Sequence, residues 1–308
     1  MFGFDTLLVF GDSNSDIGNV RRVSKGLSPI AGSYDGRFSD GPVWCDNLVR
    51  IFNLKTQNYA YGNATTNNEN IAGTIRVKDS ATRVEVPGVK QQIAQYLDSE
   101  YNVKENGASR DTELFAIFVG SNDLTSRLYP GSYNITREMT EKELIESQAE
   151  CIEMLIEKAK VKHLLIFTTR PREDYPGIRQ FEDSQVSAAR DAALEFNRLL
   201  KIMVEEKTKK YPTVNLILYD IHKLMKQLAL EPTRYGLHPD VFTPIIASKD
   251  SNSADDLTPG QDTDCSKNNR LFWDTFHISQ KAQMLATADI IHVIAQNFWK
   301  RNTHLLGE

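Results

Sequence analysis

The chain has 308 residues, of which 40% are hydrophobic and 25% charged, with a formal net charge of −5 and an isoelectric point near 5.8. This is an ordinary globular composition, and its acidic balance argues against a nucleic-acid partner or an anionic membrane surface. The sequence holds no run of about 18 apolar residues, so we expect no integral membrane segment. It also lacks a basic N-terminal stretch followed by a long apolar run, which indicates either a cytoplasmic protein or a secreted one without its leader.

Strand-like apolar runs alternate with helical patterns along the chain. The runs lie at Leu7–Phe10, Gln57–Tyr61 (the weakest), Leu114–Val119, His163–Thr168 and Val214–Tyr219. Apolar residues at helical spacing lie at Val43–Phe52, Val89–Leu97, Glu141–Lys160, Val186–Lys207 and from about His277 to Trp299. This alternation predicts βαβ crossovers and a parallel sheet covered on both faces. We therefore expect residues 1–308 to form one α/β domain, a three-layer α/β/α fold around a doubly wound, five-stranded parallel sheet.

Two long polar stretches, Asn63–Val86 and Glu231–Arg270, interrupt this alternation and are predicted to be loops. Both should emerge near the carboxyl edge of the sheet. The second contains an apolar piece, Val241–Ile246, which either packs on the domain or remains exposed.

Polar turns follow the first three predicted strands. Gly11–Ser13 comes directly after Leu7–Phe10, Asn58–Ala64 belongs to the second strand, and Gly120–Asp123 follows the third. Because ligand crevices of open α/β sheets lie outside the carboxyl ends of the strands, we expect Ser13 and Asn122 to face one crevice. There a serine oxygen can attack a substrate, and an Asn amide can donate to a developing oxyanion.

Asp274 and His277 place a carboxylate and an imidazole three residues apart near the C-terminus. An isolated pair of this kind is more often a capped helix start with a surface histidine. Beside a serine, however, the same pair supplies the base and the orienting acid of a serine hydrolase. The other five histidines lie in predicted strands, helices, a loop and the tail, where structural or surface roles are expected.

Four blocks in this order resemble the GDSL, or SGNH-hydrolase, family of esterases and lipases. They are Phe10–Asn19, Asn58–Ala64, Val119–Asp123 and Phe272–His277. The resemblance spans nearly the whole chain and implies a flavodoxin-like sheet, no metal and no organic cofactor. It also implies roles: Ser13 as nucleophile and backbone oxyanion donor, His277 as general base and then acid, Asp274 as its orienting carboxylate, and Asn122 as a side-chain oxyanion donor.

The second block departs from the family pattern, which ends Gly-Gly-Ala, because here it reads Gly62-Asn63-Ala64. The oxyanion glycine falls on Asn63. The role needs a backbone N–H, and asparagine tolerates positive φ better than most residues. We expect the donor to be Asn63 N–H or, as the less favoured choice, Gly62 N–H. The added side chain should narrow the pocket and favour small acyl groups.

Other polar residues of these blocks are expected to support the site. Asp12 should accept backbone hydrogen bonds, and Asp16 should cap the helix after the nucleophile turn. Arg37 and Asp40 are predicted to pair and fix their loop.

These observations predict a carboxylic ester hydrolase that works through an acyl-enzyme on a small-molecule ester. Short acyl esters, particularly acetylated carbohydrates, are the first choice. There are two alternatives. The first is a lipase or phospholipase, which would need an exposed apolar patch such as Val241–Ile246. The second is an acyltransferase, which uses the same residues. An inactive binding module on the same fold is disfavoured because every required residue type is present.

The chain has no G-x-S-x-G, H-E-x-x-H, P-loop or G-x-G-x-x-G motif. The oligomeric state and the cellular compartment stay open.

Overall fold

The protein is built from strands and α-helices, in a computed structural model that describes residues 3–104, 110–246 and 269–305. In chain order they are β1 (Thr6–Gly11), α1 (Asn19–Val23), α2 (Trp44–Phe52), β2 (Lys55–Asn58), β3 (Ile71–Arg76), β4 (Arg83–Glu85), α3 (Val89–Leu97), α4 (Glu100–Lys104), β5 (Glu113–Phe118), α5 (Ser121–Thr125), β6 (Tyr133–Ile135), α6 (Glu141–Glu157), β7 (His163–Phe167), α7 (Asp183–Lys210), β8 (Asn215–Tyr219), α8 (Ile221–Leu230) and α9 (Gln280–Leu305). Among these described segments, no helix combines the length and apolarity that a membrane crossing needs.

Five strands form the central sheet in the order β2-β1-β5-β7-β8, and every neighbouring pair is parallel. Successive β1 side chains alternate between two apolar clusters. Leu8 and Phe10 pack with α3, α6 and α7 on one face, whereas Leu7 and Val9 pack with α2, α8 and α9 on the other. This confirms the predicted three-layer, doubly wound fold. The carboxyl ends of all five strands lie at one edge of the sheet.

The predicted second strand, Gln57–Tyr61, is misplaced, because β2 occupies Lys55–Asn58. The strand lies at the edge of the sheet and is polar and partly exposed, so an apolar run does not mark it. Beyond its end the chain still follows β1, since Tyr59 N–H donates to Val9 O at 2.8 Å and Tyr61 N–H to Gly11 O at 3.1 Å. The second polar turn therefore ends up beside the first.

The prediction of one long loop over Asn63–Val86 is wrong. The stretch contains β3 and β4, which join β6 in an antiparallel sheet of order β4-β3-β6. Five of the six β3 residues are buried. Because Ala72, Gly73 and Thr74 interrupt the apolar positions, no alternating pattern marks the strand. This small sheet forms one wall beside the carboxyl edge of the large sheet.

The predicted loop Glu231–Arg270 is described at 231–246 and 269–270, and the rest lies outside the described residues. Val241 and Ile246 are buried. Ile245 N–H and Ile246 N–H donate to Phe272 O at 3.1 Å and Trp273 O at 2.8 Å. The segment Val241–Ile246 thus packs against the loop that carries Asp274 and His277. Its first and last residues are buried and do not contribute to an exposed apolar patch.

The last helix begins at Gln280 rather than near His277. Phe272 and Ile278 form an isolated antiparallel bridge, which holds the intervening residues in a closed loop. Asp40 Oδ1 then accepts the Gln280 N–H at 2.6 Å at the helix start. The other predicted helices agree with the observed bounds to within about one turn.

Arg37 and Asp40 do not pair as predicted. The Arg37 guanidinium makes a bidentate contact with Asp46, at 3.0 and 2.8 Å, and also binds Asp35. Asp46 lies in the first turn of α2 and offers two oxygens in the fork geometry that arginine prefers. Asp40 instead serves the start of α9.

Gly73 is sterically required where β3 passes the second polar turn. A Cβ built on Gly73 would lie 1.8 Å from Asn63 O and 2.7 Å from the Asn63 carbonyl carbon. We expect Gly73→Ala to lower the free energy of unfolding by about 1–3 kcal/mol, because backbone must move to admit the methyl group. Gly131→Ala is the matched control, since a Cβ there meets nothing within 4 Å. Urea unfolding of the two variants measures the difference, and equal stabilities would refute the steric argument.

Candidate active site

Ser13 lies in a tight turn directly after β1. The backbone oxygen of Asp12 accepts the N–H groups of Ser15 and Asp16 at 3.0 and 3.1 Å. Gln92 of α3 secures the entry to this turn, since its side chain bonds both Gly11 N–H, at 2.8 Å, and Gly11 O, at 2.9 Å. The turn thus presents Ser13 at the carboxyl edge of the sheet, where it is 7% exposed.

Ser13, His277 and Asp274 form one hydrogen-bonded row. His277 Nε2 lies 2.8 Å from Ser13 Oγ, and His277 Nδ1 lies 2.7 Å from Asp274 Oδ2. Because a carboxylate only accepts hydrogen bonds, Nδ1 carries the proton in the neutral ring, and Nε2 is left to accept from the serine hydroxyl. The structure therefore brings Ser13 into contact with His277, which lies 264 positions later in the chain.

The loop between Phe272 and Ile278 fixes the imidazole. Asp274 is almost fully buried, and its Oδ1 also accepts the backbone N–H groups of Phe276 and His277, each at 2.7 Å. The His277 carbonyl in turn accepts Trp273 N–H at 2.7 Å. Asp274 is thus held by the backbone of its own loop, and this fixes the position of its contact with Nδ1.

Three hydrogen-bond donors, one of them the backbone N–H of Ser13 itself, belong to residues that line this pocket. Within the described residues, the backbone N–H groups of Ser13 and Asn63 have no hydrogen-bond partner. The Asn122 amide donates once to Ala64 O at 2.9 Å, which leaves its second N–H, and its Oδ1 accepts from Tyr133 Oη at 3.2 Å. Asn63 has the positive φ, +66°, that the sequence allowed for. Gly62 N–H, the less favoured candidate, donates to Asp16 Oδ2 at 2.7 Å and is already engaged.

The Asn63 side chain is fixed by the small sheet. Its Nδ2 donates to Thr74 O at 2.8 Å and to Ser132 O at 3.0 Å. The backbone carbonyl groups of Thr74 and Ser132 therefore hold the side chain of Asn63, whose φ lies in the left-handed region. The same contacts keep the side chain at the wall of the pocket.

Asp16 is a buried acceptor for backbone groups. Its Oδ1 accepts from Gly18 N–H and Asn19 N–H, and its Oδ2 from Val20 N–H and Gly62 N–H, at 2.7–3.1 Å. It therefore serves the start of α1, as predicted, and also links this turn to the Gly62 turn. Burial raises the pKa of Asp16, and the four hydrogen bonds oppose that rise.

Asp12 is also buried, and its Oδ1 accepts from the backbone and side-chain nitrogens of Asn14 at 2.9 and 2.7 Å. Burial raises the pKa of Asp12. Its Oδ2 has no partner among the described residues. Asp12 thus supports the nucleophile turn with one oxygen only.

Sequence reasoning missed the turn after the fourth strand of the large sheet. Arg170, Arg172 and Tyr175 follow β7 and line the pocket that contains Ser13 and His277. The rule that identified Ser13 and Asn122, a polar turn at the carboxyl end of a strand, applies equally to Thr168–Arg172. No described cluster of His, Cys, Asp or Glu is arranged to hold a metal ion.

Comparison with known proteins adds the family. A sequence model of the family described as GDSL-like Lipase/Acylhydrolase matches residues 7–290. The chain is 26% identical to the thermolabile hemolysin of Vibrio parahaemolyticus, over 88% of this chain and 59% of that protein. It is 24% identical to a phosphatidylcholine-sterol acyltransferase of Aeromonas hydrophila, over 76% and 63% of the two chains. It thus spans only about three fifths of these two relatives.

A third relative, a GDSL esterase/lipase of Arabidopsis thaliana, is 24% identical over 89% of this chain and 87% of its own. Among solved structures, a GDSL-like lipase from Parabacteroides merdae superposes with a TM-score of 0.50 and 13% identity, over 94% and 95% of the two chains. At that identity the structural likeness supports the fold alone.

Asp123, next to Asn122, gives a pH prediction. It is buried, its two oxygens accept Thr66 N–H, and burial raises its pKa from 3.8 to about 6. The folded state therefore holds this proton more tightly than the unfolded chain, and the resulting stabilisation is lost as the pH rises from about 4 to about 6. Asp123→Asn removes that loss. The free energy of unfolding of Asp123→Asn relative to the parent should increase by about 2 kcal/mol between pH 4 and pH 7.

Urea unfolding of both proteins at several pH values measures this difference. Asp98→Asn controls for the loss of an exposed carboxylate elsewhere. A difference between Asp123→Asn and the parent that does not change with pH would contradict the prediction.

Proposed function

The chain belongs to the GDSL-like lipase/acylhydrolase family, and from this premise we propose that it is a serine ester hydrolase whose catalytic residues are Ser13, His277 and Asp274. The observation that carries the proposal is the continuous row from Ser13 Oγ to the buried Asp274, with contacts of 2.8 and 2.7 Å. It supplies a nucleophile, a base within reach and an orienting carboxylate.

In the first half-reaction, Ser13 Oγ attacks the ester carbonyl carbon while its proton passes to His277 Nε2. The imidazolium that forms is stabilised by Asp274. The carbonyl oxygen becomes an oxyanion, which Ser13 N–H, Asn63 N–H and the free Asn122 amide hydrogen are available to bind. When the intermediate collapses, the C–O bond to the alcohol breaks, and His277 gives its proton to the departing alkoxide.

In the second half-reaction, a water molecule attacks the acyl-enzyme. His277 Nε2 accepts one water proton, and the same donors bind the second oxyanion. Collapse breaks the bond to Ser13 Oγ and returns the proton to it, which releases the carboxylic acid. The alternative of an inactive binding module would leave this hydrogen-bonded row without a use.

We propose short acyl esters as the substrates, with acetylated carbohydrates as the first class to test. Phe38 packs against the His277 ring with centroids 5.0 Å apart, and the fixed Asn63 side chain closes another wall. The burial of Val241 and Ile246 removes the apolar surface that a lipase would have drawn from that segment. Acyl transfer to an alcohol other than water is the second candidate, supported by the name of the Aeromonas hydrophila relative.

Ser13→Ala removes the nucleophile and should lower kcat/KM on 4-nitrophenyl acetate by about 10⁴- to 10⁶-fold. Ser80→Ala, at an exposed serine, should retain parental activity.

Activity of the parent should fall steeply beyond about four acyl carbons in a series of 4-nitrophenyl esters with two to sixteen acyl carbons. If Ser13→Ala keeps activity, the assignment of the nucleophile is wrong. If activity rises with chain length, only the short-acyl assignment is wrong.

Asn122→Ala removes the side-chain oxyanion donor. We expect kcat to fall by about 10²- to 10³-fold, which corresponds to roughly 3–4 kcal/mol of transition-state stabilisation, with a much smaller change in KM. Asn134→Ala, at an exposed asparagine in β6, is the matched control. A change confined to KM would argue that Asn122 binds the substrate in its ground state instead.

A further inference from the structure

Two buried arginines line the catalytic pocket, and the proposed mechanism does not use them. Arg170 and Arg172 are 2% and 1% exposed. Both lie against Tyr175, with guanidinium carbons 4.7 and 5.0 Å from the ring centroid. Two cations are therefore held on one aromatic ring beside Ser13 and His277.

Each guanidinium is only partly satisfied. Arg170 Nη2 donates to Phe276 O, and Arg172 Nη1 donates to Ser121 O, both at 2.9 Å. The remaining nitrogens of each group, Nε with Nη1 in Arg170 and Nε with Nη2 in Arg172, are buried and have no partner in the described parts of the chain. Neither arginine forms a salt bridge with a described carboxylate.

Arg172 is the less balanced of the two charges. Arg170 has Asp12 near enough to influence that carboxyl electrostatically, and Asp12 Oδ2 is itself unpartnered. The groups that act most strongly on Arg172 are three tyrosines and Arg170, and none of them is a carboxylate. Because a guanidinium stays protonated, Arg172 is a buried positive charge with no counter-charge among the described residues. Burial is costly for such a group unless an anion meets it.

Both arginines are tied to residues that flank the proposed catalytic groups. Ser121, whose carbonyl binds Arg172, precedes Asn122, and Phe276, whose carbonyl binds Arg170, precedes His277. An anion held by the free guanidinium nitrogens would therefore lie in the same pocket as the scissile ester. An apolar acyl chain in that place would leave these N–H groups buried without partners.

We propose that Arg172, with Arg170 beside it, is an anion-binding subsite, so that the preferred ester carries a carboxylate or a phosphate group close to the scissile bond. The forked guanidinium matches the planar carboxylate and the phosphate oxygens equally well. The inference rests on the proposed ester hydrolysis at Ser13 and names the substrate class of that site. It assigns Arg172 to substrate binding rather than to the chemical step.

Matched charged and neutral esters test the proposal. The carboxylate pair is 4-acetoxybenzoate and 4-acetoxybenzamide, and the phosphate pair is butyrylglycerol 3-phosphate and butyrylglycerol. Each kcat/KM is divided by the hydroxide-catalysed rate constant of the same ester, which removes intrinsic reactivity. The parent enzyme should prefer the charged member of at least one pair by about 10- to 100-fold, and the pair that shows it identifies the anion. No preference in either pair overturns the proposal.

Arg172→Gln should abolish this preference by lowering kcat/KM of the charged ester while changing that of its neutral partner less than about threefold. Arg179→Gln, which removes a charge from an exposed arginine of the same segment, should leave the preference intact. If Arg172→Gln lowers charged and neutral esters by the same factor, the residue only positions the Ser121–Asn122 turn, and the proposal is wrong.

A binding measurement separates this inference from the proposed function. We would titrate the parent, Arg172→Gln and Arg179→Gln with inorganic phosphate and with benzoate in a calorimeter. This measurement requires no turnover. The titration of the parent also requires no substitution that could disturb folding. We expect at least one anion to bind the parent and Arg179→Gln and to lose at least tenfold in affinity in Arg172→Gln. Equal affinity in all three proteins refutes the subsite even if the ester hydrolysis is confirmed. Loss of anion binding in Arg172→Gln supports it even if no ester is hydrolysed.

Discussion

The Asp16 carboxylate is the interaction on which the arrangement of the site depends. It accepts backbone N–H groups from the start of α1 and from Gly62, and so it joins the nucleophile turn to the second polar turn. By binding Gly62 N–H, it leaves the next amide, that of Asn63, to face the pocket. A single buried side chain thereby sets the distance between Ser13 and a backbone donor that lies fifty positions later. A carboxylate suits this role because its two oxygens together offer about four acceptor sites.

The polar network around Ser13 is built at some cost in stability. Burial raises the pKa of Asp12, Asp16 and Asp123, which means that the fold disfavours the charged form of each. Hydrogen bonds from backbone N–H groups oppose this effect and make the charges tolerable. The two apolar clusters on either face of the parallel sheet supply the compensating hydrophobic burial. Phe272 and Ile278, which bracket the loop that carries Asp274 and His277, belong to the second of these clusters.

How much of this could be read from the sequence depended on burial. Central strands such as Leu7–Phe10 are apolar on both faces and were predicted, whereas β2 is polar at the sheet edge and was displaced by two residues at its start. The small antiparallel sheet was not predicted, because Gly73 and its neighbours interrupt the alternation of apolar and polar residues that would mark β3. The placement of Ser13 and Asn122 in one pocket was predicted because topology alone brings strand ends together. The partner of Arg37 was not, because several carboxylates nearby could reach it and only the packing selects Asp46.

The buried charges in and around the pocket differ in how fully their polar atoms are bonded by the described parts of the chain. Both oxygens of Asp16 and both oxygens of Asp274 accept hydrogen bonds from groups of the chain itself. Arg172 has one bond to the chain and two buried nitrogens without partners among the described residues. A fold that needed a cation only to secure the Ser121 carbonyl could use a neutral donor at far lower desolvation cost. Retention of a full guanidinium at this position is therefore better explained by an anion that arrives with the substrate.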